Sequence, residues 1–228
     1  MKIDKCIKEV ERDSRVVSRA CRIPYFPLVV ESIEGSTVRD IDGNEYIDLL
    51  CSAGSINVGG ANENVKKSII EQVNKYVHYT PAYLYNKPMI DLAEKLVKIT
   101  PGEFPKRVAF GLSGSDANDG AIKFARAYTG RSSIITFIGA YHGVTYGSMS
   151  MSAITTKMRR KLGPFLPGVY SFPYPNCYRC NYDKKENCCN LECLHQIQIA
   201  FDSYLPSDEV AAAVIEPIQG DAGIIVPP

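Results

Sequence analysis

The sequence predicts an α/β fold with a mostly parallel sheet, and three features carry that expectation. Residues 133–139 (Ser-Ile-Ile-Thr-Phe-Ile-Gly) and 210–217 (Val-Ala-Ala-Ala-Val-Ile-Glu-Pro) are apolar runs of strand length, the pattern of strands buried on both faces. Segments with helical spacing of apolar residues alternate with such runs. Residues 109–131 read as a short apolar strand, a Gly/Ser turn and a helix, in that order. The bulk numbers agree: 228 residues, 45% hydrophobic and 22% charged, describe a soluble globular chain of one large or two small domains.

A formal net charge of +1 argues against a general nucleic-acid or anionic-membrane surface. No apolar run approaches membrane-spanning length, and the first residues lack a signal-peptide core, so the expected location is cytoplasmic. In that setting eight cysteines read as thiols or metal ligands rather than a disulfide framework. The histidines are His78, His142 and His195, a small set that limits histidine-based mechanisms.

Residues 4–20 form a charged helix in this reading, either an arm on a partner subunit or a solvated one. Three strand-like stretches between residues 28 and 50 are separated by Glu34-Gly35 and by Asp42-Gly43-Asn44; the Asp-Gly step is a strong hairpin signal. Residues 51–64 are a loop of small residues. Helices follow at about 63–77 and 88–99, the second stopped by Thr100-Pro101-Gly102. Between them Tyr76, His78, Tyr79, Tyr83 and Tyr85 surround a turn at Pro81, either a ligand cover or a packed contact.

In 109–131, Ser113 followed three residues later by Asp116 resembles a capping box, and Ala117, Ala121, Ile122, Phe124, Ala125 and Ala127 give the helix an apolar side. Gly130 marks its end. The N–H groups at such a helix start have no partner inside the helix and can donate to a phosphate; the alternative is a strand-turn-helix packed with small residues. Ala140-Tyr141-His142-Gly143 then falls at the C-terminal end of the 133–139 strand, the edge where ligands collect in open α/β sheets. A helix starts after Gly143, residues 169–172 are briefly extended, another helix runs to about Phe201, and the strand at 210–217 closes the series.

Three stretches together resemble the class III aminotransferases, which use pyridoxal phosphate on the fold type I scaffold. They are residues 113–126 (Ser-Gly-Ser-Asp-Ala-Asn-Asp-Gly-Ala-Ile-Lys-Phe-Ala-Arg), Tyr141-His142-Gly143, and residues 216–223 (Glu-Pro-Ile-Gln-Gly-Asp-Ala-Gly). Their order and spacing make the combination specific, and weaker support at 40–49 and 163–169 extends it over nearly the whole chain. The stretch 174–180 looks like members near the 4-aminobutyrate and aspartate aminotransferases. The resemblance implies an incomplete large domain with a mostly parallel sheet, plus the β-rich N-terminal part of a small domain. The corresponding partition is 1–60 for arm and small-domain segment, and 61–228 for the partial cofactor-binding domain, with a cysteine-rich insertion at 174–195.

By the same resemblance, Gly114 and Ser115 match the residues that hold the cofactor phosphate, and Tyr141 the aromatic that stacks on its ring. His142 is either support behind that aromatic or a satisfied structural histidine. Glu216 lies near the cofactor or caps a neighbouring loop. Asp221 matches a substrate-gate position usually filled by Glu, which opens for dicarboxylate substrates; Asp is one methylene shorter. The turn after Asp48 that contributes to the family's substrate pocket departs from pattern here, at residues 59–63. The implied activity is transfer of an amino group between a donor, such as 4-aminobutyrate or another omega-amino compound, and a 2-oxo acid, by a homodimer. An aminomutase of the same family and a non-catalytic cysteine-rich module are the alternatives.

Pyridoxal chemistry needs a lysine for the cofactor's aldehyde and a carboxylate for its pyridine nitrogen. In the family both follow the Glu-Pro-Ile-Gln turn, and Lys123 does not match, so no catalytic residue is assigned. The expectation is the N-terminal portion of an aminotransferase, inactive alone. Finally, Cys177, Cys180, Cys188 and Cys193 are candidate zinc or iron–sulfur ligands, set against an insertion loop with free thiols, because no second Cys-x-x-Cys follows at standard spacing.

Overall fold

The computed structural model describes residues 2–19, 22, 24–184 and 189–228. The chain divides into two compact units, Met1–Pro88 and Met89–Pro228.

The first unit opens with helix α1 (Asp4–Val16), followed by a three-stranded antiparallel sheet of β1 (Val30–Glu34), β2 (Thr37–Asp40) and β3 (Glu45–Ile47) in sequence order. Both expected turns are present, with Gly35 at φ +55° and Gly43 at φ +87° supplying the left-handed conformation. The second turn also holds the helix. Asp42 accepts the N–H groups of Lys5 and Cys6 at 3.0 and 2.8 Å, so a hairpin residue caps α1, whose own N-cap Ile3 makes no side-chain cap bond. Buried Asp40 accepts the N–H groups of Asp42 and Asn44, the Asn44 side chain and the Tyr46 hydroxyl, all at 2.8–3.0 Å. Burial pushes its carboxyl up, but these hydrogen bonds outweigh it and hold the pKa at about 2. The short α2 (Cys51–Gly54) is a left-handed turn, with Cys51, Ser52 and Ala53 at φ +48° to +54°, and α3 (Glu63–Val73) starts on an Asn62 cap.

Helix α4 (Lys87–Ile99) leads into the second unit, which contains α5 (Gly114–Thr129), β4 (Ser133–Phe137), α6 (Tyr146–Met151), α7 (Thr156–Arg159), β5 (Val169–Phe172), α8 (Glu192–Ser203) and β6 (Val210–Ala213). The strands form a parallel sheet in the order β5-β4-β6, with Ile134 opposite both Val169 and Ala212. All five β4 residues are buried, as its unbroken apolar run predicts for a central parallel strand. They alternate between two cores: Ile134 packs with Ile122 of α5 and Met151 of α6, whereas Ile135 and Phe137 pack with Phe172, Tyr174, Ala200 and Leu205.

Two local expectations are corrected. Residues 109–112 join no ladder; the N–H of Leu112 goes instead to Asp116. Phe124 is 60% exposed, because the helix turns Ile122 toward the sheet and Phe124 lies about 200° around from it.

Candidate cofactor site

Helix α5 begins where the capping signal places it. Ser113 is the N-cap in extended conformation, its side chain accepting the N–H of Asp116 at 3.2 Å, while Asp116 reaches back to the N–H of Leu112 at 2.9 Å. The return bond lands one residue before the cap instead of on it. The N–H groups of Gly114 and Ser115 keep no acceptor among the described residues. A side chain at Gly114 would meet nothing within 4 Å, so the helix start is open to an incoming group. The Ser115 hydroxyl oxygen accepts the N–H of Val144 at 3.0 Å, which leaves its proton available to donate. Unpaired N–H groups, a donor hydroxyl and the positive end of a sixteen-residue helix suit a phosphate. At the other end Gly130, at φ +69°, closes the helix.

The β4 chain leaves its strand into residues 138–144. Tyr141 keeps 38% of its surface exposed and His142 keeps 7%. The Tyr141 N–H donates to Glu216 at 3.2 Å, the His142 N–H to the Ser152 hydroxyl at 2.9 Å, and Asn118 of α5 donates to the His142 carbonyl at 2.7 Å. Burial pushes the His142 imidazole below its ordinary pKa, against the opposing charge of Glu216, and its Nε2 is buried with no hydrogen-bond partner. Gly143, at φ +124°, passes so close to α5 that an added Cβ would lie 2.1 Å from the Ser115 hydroxyl.

Glu216, just beyond β6, bridges this loop to its own turn: its second carboxylate oxygen accepts the N–H of Gly220 at 3.3 Å. Tyr174 donates its hydroxyl to the Glu216 carbonyl at 2.9 Å, and burial, with the Glu216 charge, raises the Tyr174 pKa. Buried Gln219 donates to the Ile138 carbonyl at 3.0 Å, a second tie between the two loops. Of the residues singled out from sequence, Gly114, Ser115, Tyr141, His142 and Glu216 thus come together at the C-terminal edge of the sheet and the start of α5. Asp221 stands apart in an exposed turn, its carboxylate unbonded among the described residues. Asn118, Ser152, Gln219 and Tyr174 were not singled out. Their bonds span sequence separations from 10 to 81 residues, a relation that no local pattern encodes.

The expected cysteine ligand set, Cys177, Cys180, Cys188 and Cys193, is described only in part. Cys188 lies outside the described residues. Cys177, Cys180, Cys189 and Cys193 line one cavity of about 260 Å³. Among the described residues, however, the group of three metal-type ligands drawn within 4.8 Å of one another is Cys6, Asp40 and Asp42, whose carboxylates already accept the N–H and O–H groups described above. No helix among the described residues is long and apolar enough to cross a membrane.

The parallel sheet and the helices packed on it have the fold of the type I pyridoxal-phosphate-dependent transferases. The fold matches taurine:2-oxoglutarate aminotransferase from Bifidobacterium kashiwanohense, solved with PLP and glutamate, at TM-score 0.84 and 30% identity over 97% of this chain and 50% of that one. The chain belongs to the family described as aminotransferase class-III, whose sequence profile matches residues 20–228. It is 50% identical to isoleucine 2-epimerase of Lentilactobacillus buchneri, over 100% of this chain and 50% of that protein. Identity to leucine/methionine racemase of Thermococcus litoralis is 47%, over 96% and 49%. For 4-aminobutyrate aminotransferase of Mycobacterium tuberculosis it is 35%, over 88% and 45%. The chain spans about half the length of the curated relatives it matches.

Proposed function

We propose that this chain supplies the phosphate- and ring-binding half of a pyridoxal-phosphate enzyme that epimerises or racemises neutral amino acids at Cα. The observation that carries the reaction class is the 47–50% identity to an isoleucine epimerase and a leucine/methionine racemase, against 35% to a 4-aminobutyrate aminotransferase. Asp221 supports it: a shortened gate is no loss to an enzyme that uses no dicarboxylate acceptor. Transamination with an amino donor and a 2-oxo acid is the second reading, favoured by the family's description and by the fold match to an aminotransferase.

Gly114 and Ser115 would hold the phosphate through backbone N–H groups and the hydroxyl, at the positive end of α5. Tyr141 would cover the ring and exclude water, with its backbone held by Glu216. His142, kept neutral by burial, adds no charge beside the ring. The cofactor, when bound, delocalises the electron pair left at Cα when its proton is removed. Epimerisation returns a proton to the opposite face of Cα, whereas transamination releases a 2-oxo acid. The lysine that carries this proton and the carboxylate for the pyridine nitrogen are assigned to the remaining half of the complete protein, a homodimer in this reading, so the 228-residue chain alone is expected to turn over no substrate.

The test is incubation of the complete protein with L-isoleucine and pyridoxal phosphate in deuterated water, without a 2-oxo acid. D-allo-isoleucine carrying deuterium at Cα is expected. Turnover that appears only when a 2-oxo acid is added, with the amino group moved to it, would replace epimerisation by transamination.

A further inference from the structure

Every residue from 141 to 144 is tied to a partner outside that stretch. Glu216 accepts from Tyr141, Ser152 accepts from His142 and lies 3.1 Å from the Gly143 carbonyl as donor, Asn118 donates to the His142 carbonyl, and Ser115 accepts from Val144. Two of these ties end on α5, at Ser115 and Asn118, three positions apart and so on one face of the helix. Asp119, on the same face, accepts the N–H of Ser148 at 2.6 Å. One helix therefore both presents the open N–H groups of Gly114 and Ser115 and fixes the path of the loop that carries Tyr141. Asn118 sits a turn beyond the helix start, where it has no part in gripping an anion. Its 2.7 Å bond does something else: it sets the backbone next to Tyr141 relative to that start.

We infer that Asn118 is a positioning residue of the cofactor site, holding Tyr141 at the spacing from the α5 N-terminus that lets phosphate and ring be gripped at once. The inference rests on the reading of Gly114, Ser115 and Tyr141 as the cofactor's contacts. Without the Asn118 amide, the His142 carbonyl loses its donor and the loop is free to shift, while the helix start and its N–H groups stay as they are.

The experiment measures, on the complete protein, affinity for pyridoxal phosphate and, separately, for inorganic phosphate competing at the same site. Asn118→Ala is expected to weaken pyridoxal phosphate binding about five- to tenfold, the loss of one neutral hydrogen bond, and to leave inorganic phosphate unchanged. Asn118→Asp keeps the volume but faces an acceptor with an acceptor; it is expected to show the same differential loss and carries the test if the alanine variant does not fold. Thr129→Ala, which removes a 2.7 Å bond to the Ala125 carbonyl farther along α5, is expected to change neither affinity. Equal weakening of both ligands, or an unchanged affinity for pyridoxal phosphate, would overturn the positioning role. A wild-type protein that binds neither ligand would overturn the reading of the site itself, and the inference with it.

Discussion

Two glycines of the candidate site show how differently one residue type is used. Gly143, at φ +124°, would place a Cβ 2.1 Å from the Ser115 hydroxyl and 2.7 Å from that of Ser148. Gly143→Ala is therefore expected to destabilise the second unit by roughly 1–3 kcal/mol from backbone strain alone, with the clash added, measured by urea denaturation. Gly114 has open space around it, so Gly114→Ala is expected to shift stability by no more than about 0.5 kcal/mol in the same measurement. His142 makes a pH prediction. Its folded pKa lies below the unfolded value of about 6.5, so the unfolded chain takes up the proton first. Stability is full above about pH 6.5 and falls as pH drops through the folded pKa. Denaturation midpoints measured from pH 7.5 downward are expected to decline less in His142→Gln than in the native chain.

At the scale of elements, β4 carries the second unit. Ile134 is fully buried between α5 and α6, and Ile134→Ala is expected to cost about 2–5 kcal/mol. In the first unit the hairpin turn holds α1, and the depressed pKa of Asp40 sets its acid limit. That contribution is present above the unfolded value of about 3.9 and is lost as pH falls through about 2, so the turn that carries Asp42 is expected to lose stability in that window. Asp40→Asn, which mimics the protonated carboxyl, is expected to be less stable than the native chain above that window, measured by urea denaturation. These elements were legible in the sequence for physical reasons. A parallel strand buried on both faces must be apolar throughout, and an Asp-Gly step favours the turn that reverses β2 into β3. The path of residues 109–112 was not legible, because an apolar run does not say whether a neighbour pairs with it. Nor was the outward turn of Phe124, since small alanines on both sides of α5 leave its rotation open until Ile122 finds the sheet. Among site residues, Gly114 and Ser115 carried a local signal in the cap. Asn118 and Ser152 carried none: their role comes from a loop brought back over α5.

For the molecule as a whole, membership of the class III family and the fold of its pyridoxal-phosphate-bound neighbours agree with a helix start whose N–H groups face open space. The most direct measurement replaces Ser115 by Asp in the complete protein and compares binding of pyridoxal phosphate with binding of pyridoxal. A carboxylate in the first turn suits the helix dipole and can still accept from Val144, so the fold is expected to persist while the added charge repels phosphate. Affinity for pyridoxal phosphate is expected to fall on the order of a hundredfold, with that for pyridoxal nearly unchanged. Equal affinity of the native and Ser115→Asp proteins for pyridoxal phosphate would contradict the assignment of the α5 start as the phosphate site.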